Sequence, residues 1–136
     1  MSAAELAEIK PGLRGEAGLV VSAEQTAPRV GSGAVSVLAT PVMINLMEAA
    51  ALAAVERFLP PGYQSLGTVL NVRHIAATPA GMRVQATAIV QGVEGRTIRF
   101  SVEAHDEREP IGDGTHERVV VNVAKFDQRV KHKLAE

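Results

Sequence analysis

The pattern of apolar and polar positions changes character once along this chain, near Gly62. Upstream, residues 13–26 hold Leu19, Val20 and Val21 among polar neighbours, the look of a first strand. Pro28, Gly31 and Gly33 then mark a flexible stretch, followed by a short apolar piece at 34–39. Thr40-Pro41 is a helix start: a threonine hydroxyl can accept from the exposed amides of a first turn, and proline fits where no N–H is needed. Residues 42–58 are good helix formers, with Ala49, Ala50, Ala51, Ala53 and Ala54 closely spaced, and Pro60-Pro61-Gly62 stop them. This helix is apolar nearly all round, which predicts a buried position.

Downstream the period drops to two. Leu66, Thr68, Leu70, Val72 and His74 are expected on one face of a strand, with Val69, Asn71, Arg73 and Ile75 on the other. Pro79-Ala80-Gly81 turns into a strand over 82–90, and Glu94-Gly95 breaks before another over 97–105, where Ile98, Phe100, Val102 and Ala104 point one way. A turn through Glu109-Pro110 leads to a last strand over roughly 114–125. One strand, one buried helix and four further strands predict an α+β fold, a curved antiparallel sheet wrapped round the helix. The open strand edges of such a unit predict pairing of two copies.

Composition narrows the function classes. A length of 136 residues fits a single domain over 1–136, with flexible termini expected at about 1–12 and 128–136. Aromatics are only 3% and Trp is absent, so Val, Ala, Leu and Ile must build the core. The formal net charge of −1 gives no broad cationic face for nucleic acid; Arg129, Lys131, His132 and Lys133 read as a solvated tail. There is no Cys, which excludes disulfides, thiolate nucleophiles and cysteine-based zinc sites. No apolar run approaches a membrane span, and the N-terminus has no signal-peptide pattern, so a cytoplasmic home is expected by default.

Few residues could carry chemistry. Glu48 is a carboxylate among Met43, Ile44, Leu46, Met47, Leu52 and Val55, costly there unless paired or facing a cavity; it reads equally as a general base or nucleophile and as a satisfied helix residue. His74 is suited to proton transfer near neutral pH, though a lone histidine on an apolar face is more often a core residue. Thr40 is already explained by helix capping, yet a hydroxyl at a helix N-terminus could also position water or a carbonyl. Thr40 and Glu48 stand about 12 Å apart along an ideal helix axis, so they share one site only if Thr40 folds back ahead of the first turn or the ligand spans the gap. His116 and Arg118 alternate onto one face of the last strand, best read as a solvated face, with phosphate or carboxylate contact as the alternative. Glu48, His74 and His116 have no metal-ligand spacing, and no metal or cofactor is expected.

In order, Ala39-Thr40-Pro41-Val42-Met43, Leu46-Met47-Glu48, Ser65-Leu66-Gly67-Thr68 and Val72-Arg73-His74-Ile75-Ala76-Ala77-Thr78-Pro79-Ala80-Gly81 resemble the fluoroacetyl-CoA thioesterase group of hotdog proteins. The likeness continues through Val93-Glu94-Gly95-Arg96, Ala104-His105-Asp106 and Ile111-Gly112 to Gly114-Thr115-His116-Glu117-Arg118, covering roughly residues 15–130. The resemblance implies a hotdog fold, a homodimer with active sites at the subunit interface, a tetramer being left open, and hydrolysis of acyl-CoA with coenzyme A as part of the substrate. It maps catalytic roles onto Thr40, Glu48 and His74, and a substrate-contacting glycine onto Gly67; His116 and Arg118 are further substrate-binding candidates. The fluoroacetate-specific member resembled here has aromatic residues before the threonine. Residues 30–39 contain none here, so a different, larger or less discriminating acyl group is expected. Two other functions share the scaffold: an acyl-CoA hydratase or dehydratase, and a non-catalytic acyl-CoA-binding module.

Overall fold

The computed structural model describes residues 3–135, in which five strands form one sheet: β1 (Arg14–Val20), β2 (Tyr63–His74), β3 (Arg83–Glu94), β4 (Thr97–Asp106) and β5 (Pro110–Asn122). Their spatial order is β1-β3-β4-β5-β2, and every neighbouring pair is antiparallel. Of the helices, α1 (Ala27–Val30) is a single turn, α2 (Thr40–Val55) is the long central one, and α3 (Val123–Lys131) follows β5. Helix α2 packs on the inner face of the sheet against β1, β2, β3 and β4.

Period two explains the sheet side of the core. Val84, Ala86, Ala88 and Val90 of β3 and Ile98, Phe100, Val102 and Ala104 of β4 are all buried on the inner face. They meet Met43, Leu46, Met47, Ala50, Ala51, Ala54 and Val55 of α2. The alanine cluster has a steric purpose. At Gly15 of β1, an added Cβ would fall on the backbone of Ala50 and Ala54, so strand and helix touch with no room for a methyl group.

Four sequence expectations change. First, the inner face of β2 is not a simple alternation. The register with β5 passes from Gly67–Arg118 directly to Val69–Glu117, so Thr68 is an inserted bulge residue. Upstream of it the inward set is Ser65 and Gly67, not Leu66 and Thr68; downstream it is Leu70, Val72 and His74 as expected. Second, the last strand stops at Asn122, because that side chain accepts from the Lys125 N–H (3.0 Å) and caps α3. The basic residues Arg129 and Lys131 lie in the final turn of that helix, where its dipole favours them. Third, the N-terminal flank contributes side chains to the core where it is described. Leu6 and Ile9 are buried in the core, each worth about 1.5–3 kcal/mol relative to exposure. Fourth, the first strand is shorter than expected, ending at Val20.

Strand β2 lies at the sheet edge, with no strand beyond it among the described residues. Leu66, Val69, Leu70 and Ile75, on it or just beyond, are 36–52% exposed.

Candidate active site

Two polar centres lie along the seam between α2 and β2. At the start of α2, Ala39 is the N-cap and Thr40 already the first helical residue. The Thr40 side chain makes no capping bond; its Oγ1 lies 2.7 Å from Nδ1 of His74. Helix capping therefore does not explain this threonine. His74 is partly buried at the end of β2, and its Nε2, though buried, has no hydrogen-bond partner among the described residues. Burial holds the imidazole below its ordinary pKa. A cavity of about 300 Å³ adjoins the pair, bordered by Val37, Leu38, Ala76 and Ala77.

The second centre lies two helical turns on. Glu48 Oε2 accepts from Nη1 of Arg118 at 3.3 Å, and about a third of the glutamate side chain is exposed. Arg118 and His116 are not a solvated strand face: they are 5% and 0% exposed. The bulge at Thr68 turns Gly67 towards them, and β5 carries both on its inner face. His116 stacks on Phe100, its Nδ1 lies 2.8 Å from the Val69 carbonyl, and its Nε2 lies 3.1 Å from Nη1 of Arg118. A guanidinium only donates, so Nε2 accepts and Nδ1–H donates to Val69: His116 is a neutral imidazole. Burial holds its pKa low, and the Arg118 charge adds to that. Gly67 completes the centre, since a Cβ there would stand 2.7 Å from Glu48 Oε2 and 3.2 Å from His116 Cε1. Only glycine leaves the carboxylate open on that side.

Within one chain the structure joins Thr40 to His74, and Glu48 to Gly67, His116 and Arg118. No hydrogen bond joins the two groups among the described residues. Sequence reasoning missed Ser65 and Glu56, which hold Arg118 from behind. The signal was the bulge, which alone turns Ser65 inward. Among the described residues no three His, Asp or Glu side chains are placed to hold a metal ion, and no helix is long and apolar enough to cross a membrane.

An antiparallel sheet in the order β1-β3-β4-β5-β2 over one central helix is the fold of the hotdog thioesterases. The family model for fluoroacetyl-CoA-specific thioesterase matches residues 21–124, and the chain belongs to that family. It is 47% identical over 97 residues to the fluoroacetyl-CoA thioesterase of Streptantibioticus cattleyicolor, covering 71% of this chain and 70% of the relative. A solved structure of the fluoroacetyl-CoA thioesterase FlK superposes with a TM-score of 0.86 at 39% identity, covering 91% of this chain and 96% of that one. A thioesterase superfamily member from Thermus thermophilus gives 0.85 at 30% identity, over 93% and 96%.

Proposed function

We propose that this thioester hydrolase cleaves acyl-CoA as a homodimer joined through β2, each catalytic centre drawing Thr40 and His74 from one copy and Glu48 and Gly67 from the other. The observation that carries the reading is the Thr40–His74 contact, which leaves a buried Nε2 free beside a cavity. The long, apolar, unpaired β2 edge supports the pairing. With Thr68 as the inserted residue, antiparallel pairing centred on Asn71 sets Leu70 opposite Val72 and Gly67 of one copy opposite His74 of the other, and opposite residues share a face. That removes the separation of about 12 Å between Thr40 and Glu48 within one helix.

In this arrangement Nδ1–H of His74 donates to Thr40, which fixes the ring so that the Nε2 lone pair can take a proton from water. The imidazolium then returns that proton to the departing coenzyme A thiolate as the C–S bond breaks. At the helix start Pro41 has no N–H, and the Val42 and Met43 amides bond the Ala39 carbonyl. The Thr40 amide is the donor left there for the developing oxyanion. Glu48 keeps Oε1 without a hydrogen-bond partner among the described residues, ready to polarise water or attack the carbonyl.

The acyl group is larger or less narrowly selected than fluoroacetyl, because residues 30–39 supply no aromatic cover to the cavity. A cytoplasmic setting goes with a coenzyme A substrate. Incubation with a panel of saturated acyl-CoAs is expected to release free thiol, with acyl groups beyond two carbons accepted; no thiol from any of them sinks the proposal. Shared sites have their own signature. Mixing inactive His74→Ala and Glu48→Gln dimers under subunit exchange should recover about a quarter of wild-type activity, whereas sites within single chains recover none.

The pH dependence follows from the imidazole. Because burial lowers its pKa from the ordinary 6.5, the neutral ring, with its Nε2 lone pair free, is the favoured form of His74 at neutral pH. The kcat/KM profile should therefore rise with pH through an apparent pKa below 6.5 and level off above it. Stability shares the sign. His74 and His116 are both depressed, so the unfolded chain binds more protons as pH falls below about 6.5, and stability is lost in that direction. A rate limb centred above pH 6.5 contradicts the assignment.

A further inference from the structure

We propose that Ser65, backed by Glu56, is a positioning residue that sets how Arg118 meets Glu48; this rests on Glu48 being the reacting carboxylate. Arg118 is 5% exposed and has four acceptors. Its Nε donates to Ser65 Oγ (2.8 Å) and Nη2 to the Ser65 carbonyl (3.0 Å), while Nη1 reaches His116 Nε2 (3.1 Å) and Glu48 Oε2 (3.3 Å). One buried serine thus supplies two of the four.

Ser65 is itself held. Its hydroxyl donates to Glu56 Oε2 at 3.0 Å and its amide to Oε1 at 3.1 Å. A guanidinium cannot accept and an ionised carboxylate cannot donate, so the serine hydroxyl has one orientation: it receives from Arg118 and gives to Glu56. Glu56 follows α2 directly, two turns beyond Glu48, and makes no ion pair with Arg118 among the described residues. The arginine therefore stands between two carboxylates, with Ser65 interposed on one side only.

That interposition has a chemical consequence. Free to choose, a guanidinium takes a carboxylate as a two-pronged fork and occupies both of its oxygens. Pinned at Nε and Nη2 by Ser65, it offers Glu48 a single long contact, and Oε1 stays available for reaction. Without the hydroxyl, Arg118 closes as a fork on Glu48, which blocks the second oxygen, or on Glu56, which strips Glu48 of its partner. Either move lowers the rate of the chemical step and leaves substrate binding largely alone.

The test is steady-state thiol release from the dimeric protein with the best acyl-CoA of the panel. Ser65→Ala should lose about tenfold or more in kcat with KM within about twofold, the split expected of misplaced catalytic groups. Ser65→Thr keeps the hydroxyl and should recover most of that loss. Glu56→Ala removes the acceptor behind the serine and should mimic Ser65→Ala; should Ser65→Ala fail to fold, it carries the test. Unchanged kcat in Ser65→Ala or Glu56→Ala, or a folded Ser65→Thr as poor as Ser65→Ala, overturns the inference. Glu48→Gln, measured alongside, separates the two levels. A dead Glu48→Gln beside a normal Ser65→Ala removes the serine's role alone, whereas a fully active Glu48→Gln removes the carboxylate reading and this inference with it.

Discussion

Replacing His74 by alanine is expected to cut turnover at least about a hundredfold, the usual contribution of a positioned general base, with little change in the unfolding temperature. The imidazole of His116 cannot take its place. His116 is committed at both ring nitrogens, to Val69 and to Arg118, and is fully buried. His74 by contrast keeps Nε2 without a hydrogen-bond partner among the described residues, and its Nδ1 meets the Thr40 hydroxyl. The residue is partly buried at a strand end beside a cavity, so its loss removes little packing. Thiol release and a thermal melt on the same preparation decide the matter. A His74→Ala protein that hydrolyses acyl-CoA at the wild-type rate refutes the role.

The largest expected effect on stability comes from a smaller change, Gly15→Ala. A methyl group at this position would overlap the backbone of α2 at Ala50 and Ala54. No side-chain rotation relieves a contact between two backbones; strand and helix must separate, and the alanine layer between them loses its close packing. Overpacking of this kind costs roughly 1–3 kcal/mol or more, so the midpoint of thermal unfolding should fall by about 10 °C. Gly33→Ala is the control. Its Cβ would meet only Ala27 Cβ at 3.5 Å, an ordinary contact, and the melt should scarcely move. Equal melting of the two variants would show that the β1–α2 contact does not limit stability.

Much of the architecture was legible because it depends on local periodicity. The alanine-rich run between Thr40-Pro41 and Pro60-Pro61 could only be a helix, and its apolar circumference placed it inside. Strands β3 and β4 followed from period-two patterns that the structure reproduces residue by residue at Ile98, Phe100, Val102 and Ala104. Thr40, Glu48 and His74 stood out because polar groups in apolar settings need a reason. The last-strand pair was misjudged for the same cause read in reverse. His116 and Arg118 alternate with Glu117 and look solvated, but their face is the inner one, and Arg118 is made tolerable there by Ser65, Glu48 and His116.

By itself, then, the sequence determined the five strands, the central helix and its burial, and the residues on which chemistry could fall, because each is written in neighbours a few positions apart; the helix over Val123–Lys131 was not among them. The tertiary structure alone decided the bulge at Thr68, the face that Ser65 and Gly67 present, the pairing of Thr40 with His74, and the division of the site into two centres. Those depend on how strands β2 and β5 register against each other across some fifty residues of chain, and a single inserted residue reverses every side chain upstream of it.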